Sequence, residues 1–271
     1  MPRLRRRPYA LSVTTVLLKG HPTWVSVGRS RGDDVVLLHG GLSSSASLRR
    51  SIGRRLVGAY RVSAFDRRGH GRTADTGEPF HYDDMAEETI AFLEWLGRGA
   101  HIVGHSDGAI VGLLVALRRP DLVRRLVAVG ANANPAGLVA TEPVALEGPG
   151  FDAWAADYAS RSPDGIEHAR VVAEKAQRLF ESEPDISTHD LERLVTPTLL
   201  VSGDDDSTRL EHSIELFRAI PEAQLAVVAG ASHAVIKEYP GEVAALIRRF
   251  LEGPVPPMTL QPVRRRPVSQ G

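Results

Sequence analysis

Residues 100–119 constrain the fold of this chain more than any other stretch: Ala-His-Ile-Val-Gly-His-Ser-Asp-Gly-Ala-Ile-Val-Gly-Leu-Leu-Val-Ala-Leu-Arg-Arg. The apolar run His101 to Val103 predicts a buried strand, and Ala109 to Leu117 predicts a buried helix. Only Gly104-His105-Ser106-Asp107-Gly108 separates them. A strand that turns this abruptly into a helix brings two backbones into contact, and the two glycines leave room for that approach. Ser106 is then forced to the tip of the turn with its Oγ exposed. The bland alternative is a Gly-rich turn with an idle serine, and a pentapeptide alone does not exclude it. The strand before and the helix after favour a serine presented for chemistry.

The rest of the chain repeats that strand-to-helix rhythm. Residues 11–18 and 24–28 alternate and are β-branched, which predicts an opening antiparallel pair. Val35-Val36-Leu37-Leu38 is a continuous apolar run, as a strand buried on both faces requires. It ends at His39-Gly40-Gly41-Leu42. Ser44 to Gly58 reads as a helix, with Leu48, Ile52 and Leu56 four residues apart. Tyr60 to Phe65 reads as a strand, Asp66 to Thr73 as a glycine-punctuated loop and Asp83 to Leu96 as a helix. Beyond the elbow, strands are expected within 122–129, 197–203 and 224–229, and helices at 211–219 and 241–251. Strands alternating with helices give βαβ units and a mostly parallel sheet. Sites in such sheets form outside the carboxyl ends of the strands, where Gly40-Gly41, Asp66 and Ser106 fall.

Residues 132–196 break the alternation. Phe151, Trp154 and Tyr158 share one helical face; Ile166, Ala169, Ala173, Ala176 and Phe180 share a second. This predicts a helical insertion covering the sheet edge. Its aromatic face either packs the insertion down or, through Trp154 and Tyr158, lines a substrate pocket.

Composition excludes several classes. The formal net charge is zero, so nothing global points to nucleic acid or an anionic membrane. The absence of cysteine excludes disulfides, thiolate metal sites and a cysteine nucleophile. No apolar run reaches the length of a membrane span. Arg5-Arg6-Arg7 before an apolar run looks like the start of an export signal, but Lys19-Gly20-His21-Pro22 follows where a small-residue cleavage site would stand. A basic arm entering a first strand, in a cytoplasmic protein, is the expectation. The tail from Gly253 to Gly271 is rich in proline and carries Arg264-Arg265-Arg266, and it is expected to be disordered. The chain thus divides into an arm and first strand (1–23), a core (24–131 and 197–252), the insertion (132–196) and the tail (253–271).

A serine nucleophile needs a base, because its alkoxide is inaccessible near neutral pH. For a serine on such an elbow the partners follow in chain order, acid and then histidine. Of the ten histidines, His168 and His189 fall in the insertion and His212 opens a helix. His233 alone follows a strand end in a small-residue loop, so it is the expected base. The acid should come from the loop after the preceding strand, where Asp204, Asp205 and Asp206 stand together. Like charges will not all point inward. Asp206 is preferred and Asp205 is second, while one of the three could cap the next helix. Two N–H donors must hold the oxyanion. Asp107 supplies one and Gly41 the other, with Leu42 as the alternative. Leu42 and His105 flank the site and are expected in the pocket. Gly69 to Ala74 matches a dinucleotide pattern, but no helix opens after it. No metal-ligand spacing occurs, so neither metal nor cofactor is expected.

Taken together, His39-Gly40-Gly41, Asp66-Arg67-Arg68-Gly69-His70-Gly71, Gly104-His105-Ser106-Asp107-Gly108, Gly203 with Asp206, and Gly230 to His233 resemble the α/β-hydrolase superfamily over about residues 24–251. The resemblance implies an α/β fold with a core sheet of about eight strands and a small helical cap after the sixth. It implies Ser106, Asp206 and His233 as the triad. The chain looks most like small-capped bacterial esterases with a G-x-S-D-G elbow. The expected reaction is cleavage of a small carboxylic ester through an acyl-enzyme. Carbon–carbon bond hydrolysis, lactone or amide cleavage and cofactor-free perhydrolysis are the alternatives on the same triad. A relative that binds a small ligand without turnover is the alternative of another class.

Overall fold

The computed structural model describes residues 11–139 and 144–261. In chain order the elements are β1 (Leu11–Leu18), β2 (His21–Gly28), β3 (Asp34–Leu38), α1 (Ser45–Leu48), a π-helical turn (Arg49–Gly53), α2 (Arg54–Leu56), β4 (Arg61–Phe65), α3 (Tyr82–Leu96), β5 (Ala100–His105), α4 (Asp107–Arg118), β6 (Val123–Val129), α5 (Pro149–Ala159), α6 (Ala169–Ser182), α7 (Thr188–Glu192), β7 (Thr198–Asp205), α8 (Leu210–Ala219), β8 (Ala223–Ser232), α9 (Val235–Glu238) and α10 (Pro240–Glu252). The eight strands form one sheet in the order β1-β2-β4-β3-β5-β6-β7-β8. The expected opening antiparallel pair is present, and β2 also runs antiparallel to β4. Every other pairing is parallel.

Burial explains why β3 reads as an unbroken apolar run. All five of its residues are buried. Val36 and Leu38 face one core, with Phe92 and Leu93 of α3 and Ile110 and Leu113 of α4. Val35 and Leu37 face the other, with Leu48, Ile52 and Leu56 of the 45–56 segment and Val243, Ile247 and Phe250 of α10. Each such side chain contributes about 1.5–3 kcal/mol of burial. Helices therefore cover both faces of the sheet at β3, and the loops at its carboxyl-end rim carry the glycine loop and Ser106. α3 ends where Gly97 takes φ 72° and its N–H closes onto the carbonyls of Leu93 and Glu94.

The structure departs from the sequence expectations in several places. The helix expected over 44–58 contains a π turn. Apolar residues four apart overshoot a 3.6-residue turn, and one wider turn lets Leu48, Ile52 and Leu56 all stay buried. β2 begins at His21, so the boundary at 23/24 falls inside a strand. Ile166 lies before α6 and is exposed, so it does not share the buried face of Ala169, Ala173 and Ala176. α7 and α9 are too short to leave a periodic signal. Residues 253–261 form neither helix nor strand. The remainder of the tail (262–271) and the arm (1–10) lie outside the described residues. Among the described residues no helix is long and apolar enough to cross a membrane.

Candidate active site

The elbow is a steric consequence of its two glycines. A Cβ on Gly104 would meet the Gly108 carbonyl oxygen at 2.1 Å, and one on Gly108 would meet the Leu38 carbonyl oxygen at 2.1 Å. No side chain fits at either position. Ser106, between them, takes φ 55° and ψ −125°, a conformation L-residues rarely adopt. The backbone around it is tied down, with Ser106 N–H donating to the Val129 carbonyl at 2.8 Å.

The structure brings Ser106, His233 and Asp206 together. Ser106 Oγ lies 2.9 Å from His233 Nε2, and His233 Nδ1 lies 2.6 Å from Asp206 Oδ1. A carboxylate can only accept, so Nδ1 carries the proton and Nε2 offers its lone pair to the serine hydroxyl. Burial pushes the Asp206 carboxyl up, but hydrogen bonds from His233, Thr208 N–H and Gly203 N–H outweigh it and hold the carboxyl below its ordinary value. Asp206 is therefore an anion at neutral pH. The other two aspartates do different things. Asp204 accepts from the Gly230 and Ala231 N–H groups at 2.7 and 3.2 Å. Asp205 is exposed at the rim. Neither caps α8, whose cap position is Arg209.

The glycine loop after β3 lies against the elbow. A Cβ on Gly40 would sit 3.1 Å from Ser106 Cβ, and one on Gly41 would sit 2.6 Å from Asp107 Oδ2. Leu42 takes φ 49°, and its carbonyl accepts from Trp154 Nε1 at 2.7 Å. Gly41 N–H and Leu42 N–H thus stand on a strained loop beside the serine, and Asp107 N–H opens α4. The Asp107 carboxylate turns inward. Tyr82 Oη donates to it at 3.1 Å, and Arg67 lies 3.8 Å away. Burial pushes this carboxyl up, and the Arg67 guanidinium opposes that shift. Its charge is therefore countered beneath the site, and Asp107 does not line the cavity beside Ser106.

That cavity has a volume of about 630 Å³. Leu42 and His105 line it, with Leu48, Val139 and Ile236 as apolar walls and Asp205 and Lys237 at the rim. Trp154 and Tyr158 do not line it. They pack with Phe151 in a row of rings on α5, at centroid separations of 5.8 and 5.6 Å. Both polar tips are engaged, Trp154 on Leu42 and Tyr158 on Asp164 at 3.4 Å. The indole N–H thereby supports the glycine loop, and the row of rings packs the insertion, the first of the two roles weighed for this face.

Three residues at the site escaped the sequence reading. Arg67 is buried and donates to the carbonyls of His39 and Gly40 at 2.6 and 3.3 Å. Tyr82 holds Asp107. Phe180 of α6 reaches over Gly41, where a Cβ would meet its ring at 2.7 Å. His105 does more than flank the site. Its Nε2 donates to the His233 carbonyl at 2.9 Å, and burial pulls its pKa down to about 4, so the ring is neutral. Among the described residues no group of three His, Asp or Glu side chains is placed to hold a metal ion.

Residues 35–246 match the model of the alpha/beta hydrolase family. The chain belongs to that family. A putative carbamate hydrolase RutD from Caulobacter segnis is 30% identical over 253 residues, covering 82% of this chain and 92% of the relative. A pimeloyl-[acyl-carrier protein] methyl ester esterase from Neisseria meningitidis is 31% identical over 228 residues, covering 73% of this chain and 86% of its own. In fold, the chain is similar to a serine hydrolase of carbazole degradation, with a TM-score of 0.72 at 23% identity, covering 90% of this chain and 99% of that one. Membership of the alpha/beta hydrolases supports a hydrolytic activity, and the eight-stranded sheet with flanking helices is the fold of that family.

Proposed function

We propose that this alpha/beta hydrolase cleaves a small carboxylic ester, or a related acyl compound, through an acyl-enzyme on Ser106. The observation that carries the reading is the continuous relay from Ser106 Oγ to His233 to Asp206, at 2.9 and 2.6 Å. Ser106 Oγ attacks the acyl carbonyl while His233 Nε2 takes its proton. Asp206 holds the ring in that tautomer and stabilises the imidazolium that forms. The N–H groups of Gly41, or of its neighbour Leu42, and of Asp107 stabilise the oxyanion at the start of α4, where the helix dipole adds to them. His233 then returns the proton to the leaving alcohol, and water releases the acyl group by the same route in reverse.

Carbamates are a second reading, favoured by the 30% identity to the Caulobacter segnis protein. A carbamate presents the same carbonyl to the same nucleophile, so the discrimination lies in the leaving side of the cavity.

The helices between β6 and β7 are the cap in this reading, and Leu42, Leu48, Val139 and Ile236 form the apolar walls of the cavity. About 630 Å³ suits a compact substrate. Each buried CH₂ contributes up to ~0.8 kcal/mol, about fourfold in kcat/KM, until the cavity is full. Acetyl to hexanoyl p-nitrophenyl esters are therefore the expected preference, with dodecanoyl and longer chains poor and no activation by emulsified triglyceride. A steady rise in kcat/KM through hexadecanoyl would contradict the small-ester reading. Faster turnover of small carbamates than of every ester would move the assignment to the second reading.

A further inference from the structure

A second cleft, of about 650 Å³, lies on the other side of the 45–56 helical segment and shares no residue with the cavity at Ser106. Ser47 and Leu48 face the Ser106 side, whereas Arg49, Arg50 and Arg54 line the second cleft, where Arg72 joins them from the loop after β4. Four arginines thus meet in one concavity that no carboxylate lines, on a chain whose formal net charge is zero. Solvating four cations over a flat surface would cost less than gathering them here.

Arg49 and Arg72 are the cations best placed for a ligand. Arg49 is half-buried, with no hydrogen bond or ion pair among the described residues. Its pKa is pulled down by burial first and by the neighbouring charges of Arg72 and Arg54, with Asp66 opposing. Asp66 is the acid that comes near, but its oxygens are already taken by the N–H groups of Ser45 and Arg72 at 2.8 and 3.0 Å. The Arg72 guanidinium reaches it only at 3.9 Å. That guanidinium lies instead over the Trp24 ring, 4.7 Å from the centroid. Stacking holds the plane of the fork and leaves its N–H edge for a ligand. Beside the charges, Leu11, Val13 and Val57 form an apolar wall.

We propose that this cleft is a binding site for a free organic polyphosphate, its phosphates on the arginines and its ring or alkyl part on the apolar wall. Planar forks in parallel match phosphate oxygens, and several such contacts are needed to offset the desolvation of a polyanion. A volume of this size encloses a small molecule rather than a flat surface. The site is separate from Ser106, so its ligand is not the acyl substrate.

Titration calorimetry on the full chain at low ionic strength tests the proposal, with ATP, inorganic tripolyphosphate and adenosine as probes. ATP should bind one to one with a Kd below about 100 μM, tripolyphosphate at least ~5-fold more weakly, and adenosine not measurably at about 1 mM. Arg49→Gln and Arg72→Gln should each weaken ATP at least ~10-fold without lowering the thermal midpoint, and Arg49→Lys should lose less because it keeps the charge. Arg193→Gln, on the cap surface, should change nothing. The proposal is overturned if wild type shows no saturable ATP binding at about 1 mM, if Arg49→Gln and Arg72→Gln bind ATP as wild type does, or if tripolyphosphate binds as tightly as ATP.

Discussion

Replacing Arg67 by Met should destabilise the fold in a way that depends on pH, and the dependence identifies the cause. Arg67 and Asp107 are both buried, 3.8 Å apart. At an effective dielectric near 20 that separation corresponds to about 4 kcal/mol of attraction. Arg67→Met removes it and strips the donors from the His39 and Gly40 carbonyls. Leaving a buried charge unpaired costs about 3–5 kcal/mol. Asp107 then has one escape, which is to take up a proton. Burial already raises its pKa above 3.8 in the wild-type fold, so its ionisation opposes folding: that contribution to stability is present below the ordinary carboxyl value and is lost as the pH rises through the folded value. Without Arg67 the folded value rises further, and the window of loss extends upward. Each further unit is worth about 1.4 kcal/mol. Urea unfolding followed by tryptophan fluorescence should therefore show Arg67→Met more destabilised at pH 8 than at pH 5, by at least ~1.4 kcal/mol. In a double-mutant cycle with Asp107→Asn, the paired variant should be less destabilised than the sum of the singles by at least ~2 kcal/mol. Equal destabilisation at both pH values, together with additive singles, would refute the buried-pair account.

Two further outcomes follow from the same geometry. Asp206→Asn should lower kcat by roughly 10³–10⁴-fold, because the amide cannot hold the His233 tautomer, whereas Asp205→Asn, exposed at the rim, should stay near wild type; steady-state kinetics on the two variants checks this, and the reverse order would move the acid by one residue. Burial depresses His39, His70, His101 and His105, the last three to about 4. Their stabilisation of the fold is fully present above the ordinary histidine value of 6.5 and is lost as the pH falls through about 4. The urea midpoint should fall steeply from pH 6.5 towards 4, and a flat midpoint across that range would contradict neutral burial of these rings.

The sequence carried those parts of the fold that are local or periodic. The elbow was legible because the approach of Gly104 to the Gly108 carbonyl, and of Gly108 to the Leu38 carbonyl, is a steric demand that only glycine meets. β3 was legible because a strand covered on both faces must be apolar throughout. The distinction between Asp206 and its neighbours rested on which carboxylate could turn inward, and the structure shows Asp204 and Asp205 pointing elsewhere. What stayed hidden depends on distant partners. Arg67 gives no local sign that it is buried, since its acceptors lie at His39 and Gly40. The indole N–H of Trp154 demanded an acceptor, but only the packed fold reveals it as Leu42. Phe180 reads as one more apolar residue on a cap helix until α6 brings it over Gly41. The short α7 and α9 hold too few residues for periodicity to register.

The central claim is that Ser106 is an activated nucleophile, and labelling with a fluorophosphonate tests it most directly. The intact protein should gain the mass of one phosphonyl group, and peptide mapping should place it on Ser106. Ser106→Ala should take up none, and His233→Ala should react at least ~100-fold more slowly, because the hydroxyl has lost its base. An unmodified wild-type protein, an adduct on another residue, or Ser106→Ala that labels as wild type does would contradict the account.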